Sequence, residues 1–178
     1  MFYRINFHKD TDTKIGGVMM KKHKLILLGL LVLPWLSIPL IKKSELKKYL
    51  PSVMFITILT RAIDEIGVEK KWWRFYKGIS IFNSMDFFIL GPYVVSSFWM
   101  LKLSYGKFPQ YLVLNLTMQI LFTFFGGVKY AKRFKIFTLD RISRLQYILS
   151  TFFRAIALYG FQYIIDFSHN RNRTIVKK

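Results

Sequence analysis

Arg154 is the residue whose position most needs a chemical explanation. It lies near the middle of an otherwise uncharged, largely apolar segment, Leu145 to Ile165. A cation inside such a segment is costly when the segment crosses a membrane, and it usually faces protein or water. Polar residues at helical spacing from it form a stripe on the predicted helix: Tyr147, Ser150, Thr151 and Gln162. This stripe either packs against another polar surface or lines a polar path.

A second polar stripe runs along the preceding apolar segment, Phe108 to Val128. Its members are four residues apart: Tyr111, Asn115, Gln119 and Thr123. Two neighbouring stripes can form interhelical hydrogen bonds, worth about 0.6–2 kcal/mol each, or enclose a polar cavity. We predict a polar binding site within the membrane made of four residues: Arg154, Asn115, Gln119 and Gln162. A water-filled cavity that reaches Arg154 would favour a ligand or ion site, and a dry contact would favour simple packing.

Arg154 needs an anion, and the candidate partners are carboxylates near the ends of other apolar segments: Asp64, Glu65 and Asp86. Arg154, however, lies nine residues along its helix from Leu145. At 1.5 Å per residue this is a depth of about 13 Å. The depth argues against a relaxed ion pair with an acid at a helix end.

Arg61 is the fourth candidate member of an ion pair. It can reach Asp64 or Glu65 at offsets of three and four residues, which is worth only a few tenths of a kcal/mol in water. The two acids are adjacent, so on a helix they point about 100° apart and do not converge as a catalytic pair. Gly67 is the expected helix stop. The stretch therefore indicates the inner end of a weak membrane helix.

A basic, aromatic cluster follows that helix end. Its members are Lys70, Lys71, Trp72, Trp73, Arg74 and Tyr76. Indole rings favour the headgroup level of a bilayer, and each nearby Lys or Arg gains about 1 kcal/mol from an anionic leaflet. We expect this cluster to anchor the chain at the interface, with anionic lipid headgroups as partners. Docking of a protein partner is the alternative.

The amino-acid composition indicates the class of protein to which these residues belong. Of 178 residues, 53% are hydrophobic and 18% aromatic, yet the formal net charge is +19. This combination is unlike disordered chains and unlike ordinary soluble domains. The basic residues flank apolar runs, which orientation rules for membrane proteins explain. Nucleic acid is therefore not an expected partner.

The predicted fold is all-α, an integral membrane helix bundle with five transmembrane helices. The spans are about 25–41, 46–66, 86–102, 108–128 and 145–165. The second is the weakest, because only eleven residues from Leu50 to Thr60 are uncharged before Arg61. Four spans plus an interfacial helix is the alternative. Gly91-Pro92 should distort the third span.

The expected domain organisation is one bundle, 21–166, between two tails. Residues 1–20 are expected to be an N-terminal tail or an upstream extension, and 167–178 a basic C-terminal tail. Five spans with a cytoplasmic N-terminus place more Lys and Arg inside than outside. Four spans with the N-terminus outside give a larger bias, but they translocate the basic residues that precede Leu25. Both arrangements put the Trp72 loop and the loop 129–144 on the inner side.

Catalytic and metal-binding patterns are absent from the sequence. The three histidines lie outside the predicted spans without metal-ligand spacing, and there is no cysteine. No phosphate-binding glycine loop and no nucleophile elbow occur. We therefore expect no metal, no cofactor and no catalytic residue.

A resemblance to a known group rests on boundary motifs spread over most of the chain after Met20. They are Leu33-Pro34-Trp35-Leu36, Lys71-Trp72-Trp73-Arg74-Phe75-Tyr76, Gly91-Pro92, Tyr105-Gly106-Lys107-Phe108 and Tyr159-Gly160-Phe161-Gln162. The sequence resembles small multi-pass membrane proteins of Bacillus-type spore-forming bacteria, a group without an assigned activity. The resemblance implies a bacterial plasma membrane and supplies no catalytic residues.

Three functional hypotheses follow. The first is a non-catalytic membrane component that binds a partner protein or lipid through its basic cytoplasmic loops. The second is a small transporter or channel subunit that uses the polar site around Arg154. The third and weakest is a lipid-modifying enzyme, which should place an acid beside Arg154 at the membrane surface.

Overall fold

The chain is mostly helical in the part that the structure, a computed structural model, describes. Described residues are 13–76, 79, 82–125 and 127–176, with side chains only between 23 and 169. The long helices are α1 (Thr13–Trp35), α2 (Lys43–Glu69), α5 (Phe108–Phe124) and α7 (Arg144–Val176). The shorter ones are α3 (Ser84–Phe88), α4 (Val94–Ser104) and α6 (Gly127–Arg133), with a 3₁₀ turn at Ile38–Leu40.

Three helices of the described chain are long and apolar enough to cross a membrane. They cover His23–Leu40, Ser84–Ser104 and Arg144–His169, and the pair α5 and α6, bent by 44°, would make a fourth. The helix α2 has 27 residues but is not among these three. Its acidic and basic side chains lower its hydropathy, which agrees with the second segment being the weakest in the sequence.

Helix boundaries differ from the predicted segments at both ends of the chain. The helix α1 already begins at Thr13, inside the expected tail, and residues 1–12 lie outside the described part. The helix α7 continues to Val176 through most of the expected C-terminal tail. The fourth segment ends early, at Phe124 rather than Val128.

Two short strands form an antiparallel ribbon that the all-α prediction did not contain. The strands β1 (Trp73–Phe75) and β2 (Phe137–Leu139) pair Trp73 with Leu139 and Phe75 with Phe137. The ribbon covers an apolar cluster of Leu27, Phe87, Ala131, Ile136 and Phe137. It joins the Trp72 loop to the loop 129–144, so both lie at one end of the bundle, called the ribbon end below.

Contacts at the two ends show that the long helices alternate in direction. At the ribbon end, His23 Nδ1, about midway along α1, lies 3.1 Å from the carbonyl oxygen of Phe134. At the opposite end, Lys48 in the first part of α2 forms a 2.9 Å ion pair with Asp166, late in α7. The loop after α4 also lies at the opposite end, because Lys48 Nζ is 4.8 Å from the ring centroid of Tyr105.

Two glycines permit close approaches between elements. Gly67 is buried, and a Cβ there would overlap the indole ring of Trp73. The prediction that Gly67 ends the helix is wrong, because α2 continues to Glu69. Gly91 lies in a π-helical turn, Ile89–Tyr93, where a Cβ would overlap the carbonyl oxygen of Leu30 in α1. This π-helical turn is the distortion expected at Gly91-Pro92.

The helices α2, α4, α5 and α7 enclose the central core. Its buried members include Val53 and Ile56 from α2, Phe98 from α4, Tyr111 from α5 and Leu158 from α7. The two helices with polar stripes, α5 and α7, are therefore neighbours, as the sequence indicated. Packing of α7 against α2 brings Asp64 to Arg154.

Candidate functional site

A buried ion pair joins α2 to α7. Arg154 Nη2 donates a hydrogen bond to Asp64 Oδ1 at 2.8 Å. Each residue is only 6% exposed. The objection from depth was wrong, because α2 does not end near Asp64. The acid lies five residues before Glu69, which puts it about 8 Å inside the helix at 1.5 Å per residue.

Trp73 packs against both members of this pair. Its indole N–H donates to the backbone carbonyl oxygen of Asp64 at 3.2 Å, and its ring centroid lies 5.7 Å from the guanidinium carbon of Arg154. Such a cation–π contact is stronger when it is shielded from water. Trp73 is only 2% exposed, so its predicted role as an interfacial anchor is wrong.

The rest of the predicted basic cluster stays near the surface. Lys70 and Lys71 are exposed, Trp72 and Tyr76 are half-buried, and Lys70 Nζ lies 5.2 Å from the Trp72 ring centroid. Arg74 is exposed and donates two hydrogen bonds to Asp140, at 2.7 and 3.0 Å. These bonds raise the pKa of Arg74 above its ordinary value.

Arg61 extends the charged cluster to a third helix. Its guanidinium pairs with Asp86 at the start of α3, and its Nε donates to Glu65 at 2.9 Å. The sequence offered Asp64 or Glu65 as the partner of Arg61, and the structure selects Glu65. Of the four candidate ion-pair residues, Asp64 contacts Arg154, and the other three form a neighbouring group in which Arg61 pairs with Glu65 and Asp86.

The guanidinium of Arg154 is not fully satisfied. Its Nε is buried and has no hydrogen-bond partner among the described residues. A buried donor without a partner carries a desolvation penalty of about 1–3 kcal/mol, and more when it is charged. Such a group in a folded protein calls for a water, an ion or a ligand as the missing acceptor.

Arg154 borders a cavity of about 240 Å³ between α2, the ribbon, α4, α5 and α7. Much of its wall is apolar, including Phe88, Phe122 and Leu158. The polar side chains in the wall are Thr60, Asp64, Tyr93, Ser96, Ser97, Asn115, Gln119, Tyr147, Thr151 and Arg154. An apolar pocket with a few converging polar groups is the usual form of a small-molecule site.

The cavity contains three of the four residues predicted for the polar site. Asn115 and Gln119 line it with Arg154. Gln162 does not line it and is fully buried elsewhere. It accepts a hydrogen bond from Ser52 at 2.8 Å and donates to Asp166 at 3.2 Å, which makes a second polar contact between α2 and α7.

Sequence reasoning missed four polar residues of the cavity wall: Thr60, Tyr93, Ser96 and Ser97. The Thr60 hydroxyl donates to the Tyr93 hydroxyl oxygen at 2.7 Å. Thr60 lies four residues before Asp64, so the face of α2 that carries the acid could have identified it. No local signal marks Tyr93, which reaches the site because the π-helical turn positions it.

The described residues of the site combine an ion pair with uncharged polar groups and an apolar wall. No group of three or more His, Asp and Glu that could hold a metal ion occurs in the described part of the chain. An acid does lie beside Arg154, as the enzyme hypothesis requires, but Asp64 is buried in an ion pair. Comparison with protein-family models, curated proteins and solved structures gave no match. A function for this chain must therefore be argued from the geometry of the site.

Substitution of Arg154 by Leu should lower the folded yield strongly. The change leaves the Asp64 carboxylate buried without its partner, which typically costs about 3–5 kcal/mol. The matched control is Arg144→Leu, at the exposed start of the same helix. Fluorescence-detected size exclusion of a tagged protein in detergent measures the monodisperse fraction. Equal yields for the two variants would contradict a structural role for the pair.

Proposed function

We propose that this chain is an integral membrane protein with five spans, in a bacterial plasma membrane, with its N-terminus on the cytoplasmic side. The three apolar helices and the bent α5–α6 pair support four of these spans. Large apolar side chains point outward around the bundle, among them Leu33, Val113 and Phe153, each more than 60% exposed. A surface of this kind is typical of contact with lipid.

The fifth span is α2. Its charged side chains lower its mean hydropathy, so hydropathy alone does not identify it as a membrane helix. Its buried residues recur at helical spacing and include Ser52, Thr60 and Asp64, so the polar groups face the bundle. Outward positions carry Met54 and Ile58, at 56% and 68% exposure. A helix whose polar face is covered by protein can cross a bilayer despite a low average hydropathy. Its 27 residues correspond to about 40 Å, which exceeds the hydrocarbon thickness of about 30 Å.

The function that we propose is binding of a small ligand in the cavity beside Asp64 and Arg154. The carrying observation is that a cavity of about 240 Å³ reaches a buried arginine whose Nε lacks a partner among the described residues. Ionisable groups within a membrane usually mark substrate or ion sites. The cavity thus favours the hypothesis of a transporter-like polar site over dry packing. Asn115 and Gln119 supply further polar groups for the ligand.

Docking through the basic inner loops is the second candidate. The ribbon supports it, because pairing of β1 with β2 gathers two basic loops into one face. Its exposed cations in the described part of the chain are Lys70, Lys71, Arg74, Lys129, Lys132, Arg133, Lys135, Arg141 and Arg144. A concentrated positive face is suited to anionic lipid headgroups or to an acidic surface of a partner protein.

Labelling of single cysteines tests the five-span topology, and the absence of native cysteine makes each introduced thiol unique. Ser44→Cys lies in the first turn of α2, and we expect a membrane-impermeant maleimide to label it in intact cells. Lys132→Cys should react only after permeabilisation. Lys107→Cys, which both topologies place outside, is the positive control. The four-span alternative keeps residue 44 inside, so protection of Ser44→Cys alongside labelling of Lys107→Cys would exclude α2 as a span.

Filling the cavity tests the binding function. Ser97 is 5% exposed and lines the cavity, and its hydroxyl donates to the backbone carbonyl oxygen of Tyr93 in the preceding π-helical turn. We expect native mass spectrometry of protein purified in mild detergent to detect a bound small molecule. In Ser97→Leu its occupancy should fall about tenfold, equivalent to about 1.4 kcal/mol.

The matched control is Ser150→Leu on α7, a position that does not line the cavity. It should retain the bound molecule at the wild-type level. A wild-type protein without a bound molecule, or retention in Ser97→Leu, would contradict the proposed binding site. The same spectra address the second candidate, because a stably docked partner protein would add its mass.

A further inference from the structure

We infer that the ligand is an uncharged lipid with a single acyl chain and a hydroxyl- or ester-bearing head, of the monoacylglycerol class. The head would occupy the cavity beside Asp64 and Arg154, and the chain an adjoining apolar groove. This inference rests on the proposed binding function and specifies its ligand. Four observations support it: the groove, its position, the charge balance of the cluster and the hydrogen-bonding groups left for the head.

The groove is a second cavity, of about 360 Å³, between α1, α4 and α5. Its wall includes Pro34, Trp99, Leu103 and Leu114. The polar atoms in the wall are already bonded: the Trp99 indole N–H donates to the Ser37 hydroxyl at 3.0 Å. A groove whose polar groups are satisfied favours hydrocarbon over a polar solute.

The groove adjoins the polar cavity along a shared wall. Pro92, Ser96, Met100 and Met118 line both. Methionine side chains are unbranched and flexible, so they adapt to irregular contents. Rotation of Met100 and Met118 would join the two spaces, with a polar compartment at one end and an apolar one at the other. This shape matches a molecule with one polar head and one chain.

The charges around the polar cavity are balanced, which argues against an ionised head. Arg154 is paired with Asp64, and Arg61 with Asp86. Glu65, the remaining acid of the cluster, adds negative charge at the exposed side. An extra charge at a buried site must be paired to offset its desolvation, and both buried acids already have partners. An anionic head would also face the Asp64 carboxylate.

The groups left for a ligand suit a neutral head. Arg154 lines the cavity, and its Nη2 is held by Asp64. Asn115 lines the cavity and its amide nitrogen donates to the Tyr111 carbonyl at 2.9 Å, so a ligand would use its side-chain oxygen. Gln119 also lines the cavity. An ester or hydroxyl oxygen can accept from Arg154, and a hydroxyl can donate to Asn115.

Quenching of tryptophan fluorescence tests this inference in the full chain. Trp99 lines the groove and Trp73 lines the polar cavity, so a brominated chain bound there should quench them. Purified protein in detergent is titrated with a dibrominated monoacylglycerol, and the quenching is competed with 1-monooleoylglycerol or with oleate at pH 8. The competitors share a chain and differ in head charge.

We expect saturable quenching that 1-monooleoylglycerol reverses at concentrations at least about tenfold below oleate, a difference of about 1.4 kcal/mol. Ser96→Leu, in the shared wall, should weaken binding about tenfold, and Ser150→Leu should not. Gln119→Leu offers a second variant that leaves the ion pair intact and should weaken monoacylglycerol binding. Wild-type affinity in every folded variant of the wall and rim would overturn the inference.

The remaining outcomes separate this inference from the proposed function. Equal or better competition by oleate would overturn the neutral head. Quenching that does not saturate, with a bound molecule still lost in Ser97→Leu, would overturn the lipid class and leave the binding site standing. Failure of both experiments would overturn the site itself.

Discussion

The ion pair between Asp64 and Arg154 is the constraint on which the rest of the structure depends. Both groups are almost fully removed from solvent. Each alone would carry a desolvation cost of several kcal/mol, so they are stable only together and with further contacts. The contact from Trp73 to both members, and the close approach that Gly67 allows to this ring, follow from that need. The pair fixes α2 against α7 at a defined height.

The ribbon connects this buried ion pair to the basic surface at the ribbon end. Trp73 begins β1, so the residue that packs on the ion pair also pairs with Leu139 of β2. The next residue, Arg74, is exposed and bound to Asp140. The basic face and the wall of the cavity therefore meet in one strand. The two candidate functions, ligand binding inside and docking at the surface, share this structural element.

Much of the fold was predictable from the sequence, because apolar segments and their charged flanks are local features. The neighbourhood of α5 and α7, and the place of Asn115 and Gln119 beside Arg154, followed from two polar stripes. Gln162 belongs to the same stripe as Arg154 but lies two turns further along, where Ser52 meets it. Helical spacing predicts which face of a helix a residue lies on. It does not predict which residue of the neighbouring helix lies opposite it.

The errors came from features that depend on contacts distant in sequence. Strands of three residues carry no periodic signal, so the ribbon could not be predicted from Trp73 or Phe137 alone. The depth of Asp64 was misjudged because Gly67 was taken as a helix end, whereas its missing side chain accommodates Trp73. Trp73 was assigned to the interface for its residue type, and only the three-dimensional packing shows it buried. A double-mutant cycle on Asp64→Asn and Arg154→Gln tests the central role of the pair most directly, with unfolding free energies measured in detergent. We predict a coupling energy of about 1.5–3 kcal/mol, against less than about 1 kcal/mol for the exposed pair of Arg74 and Asp140. Additive effects of the two substitutions, within about 0.5 kcal/mol, would contradict the account.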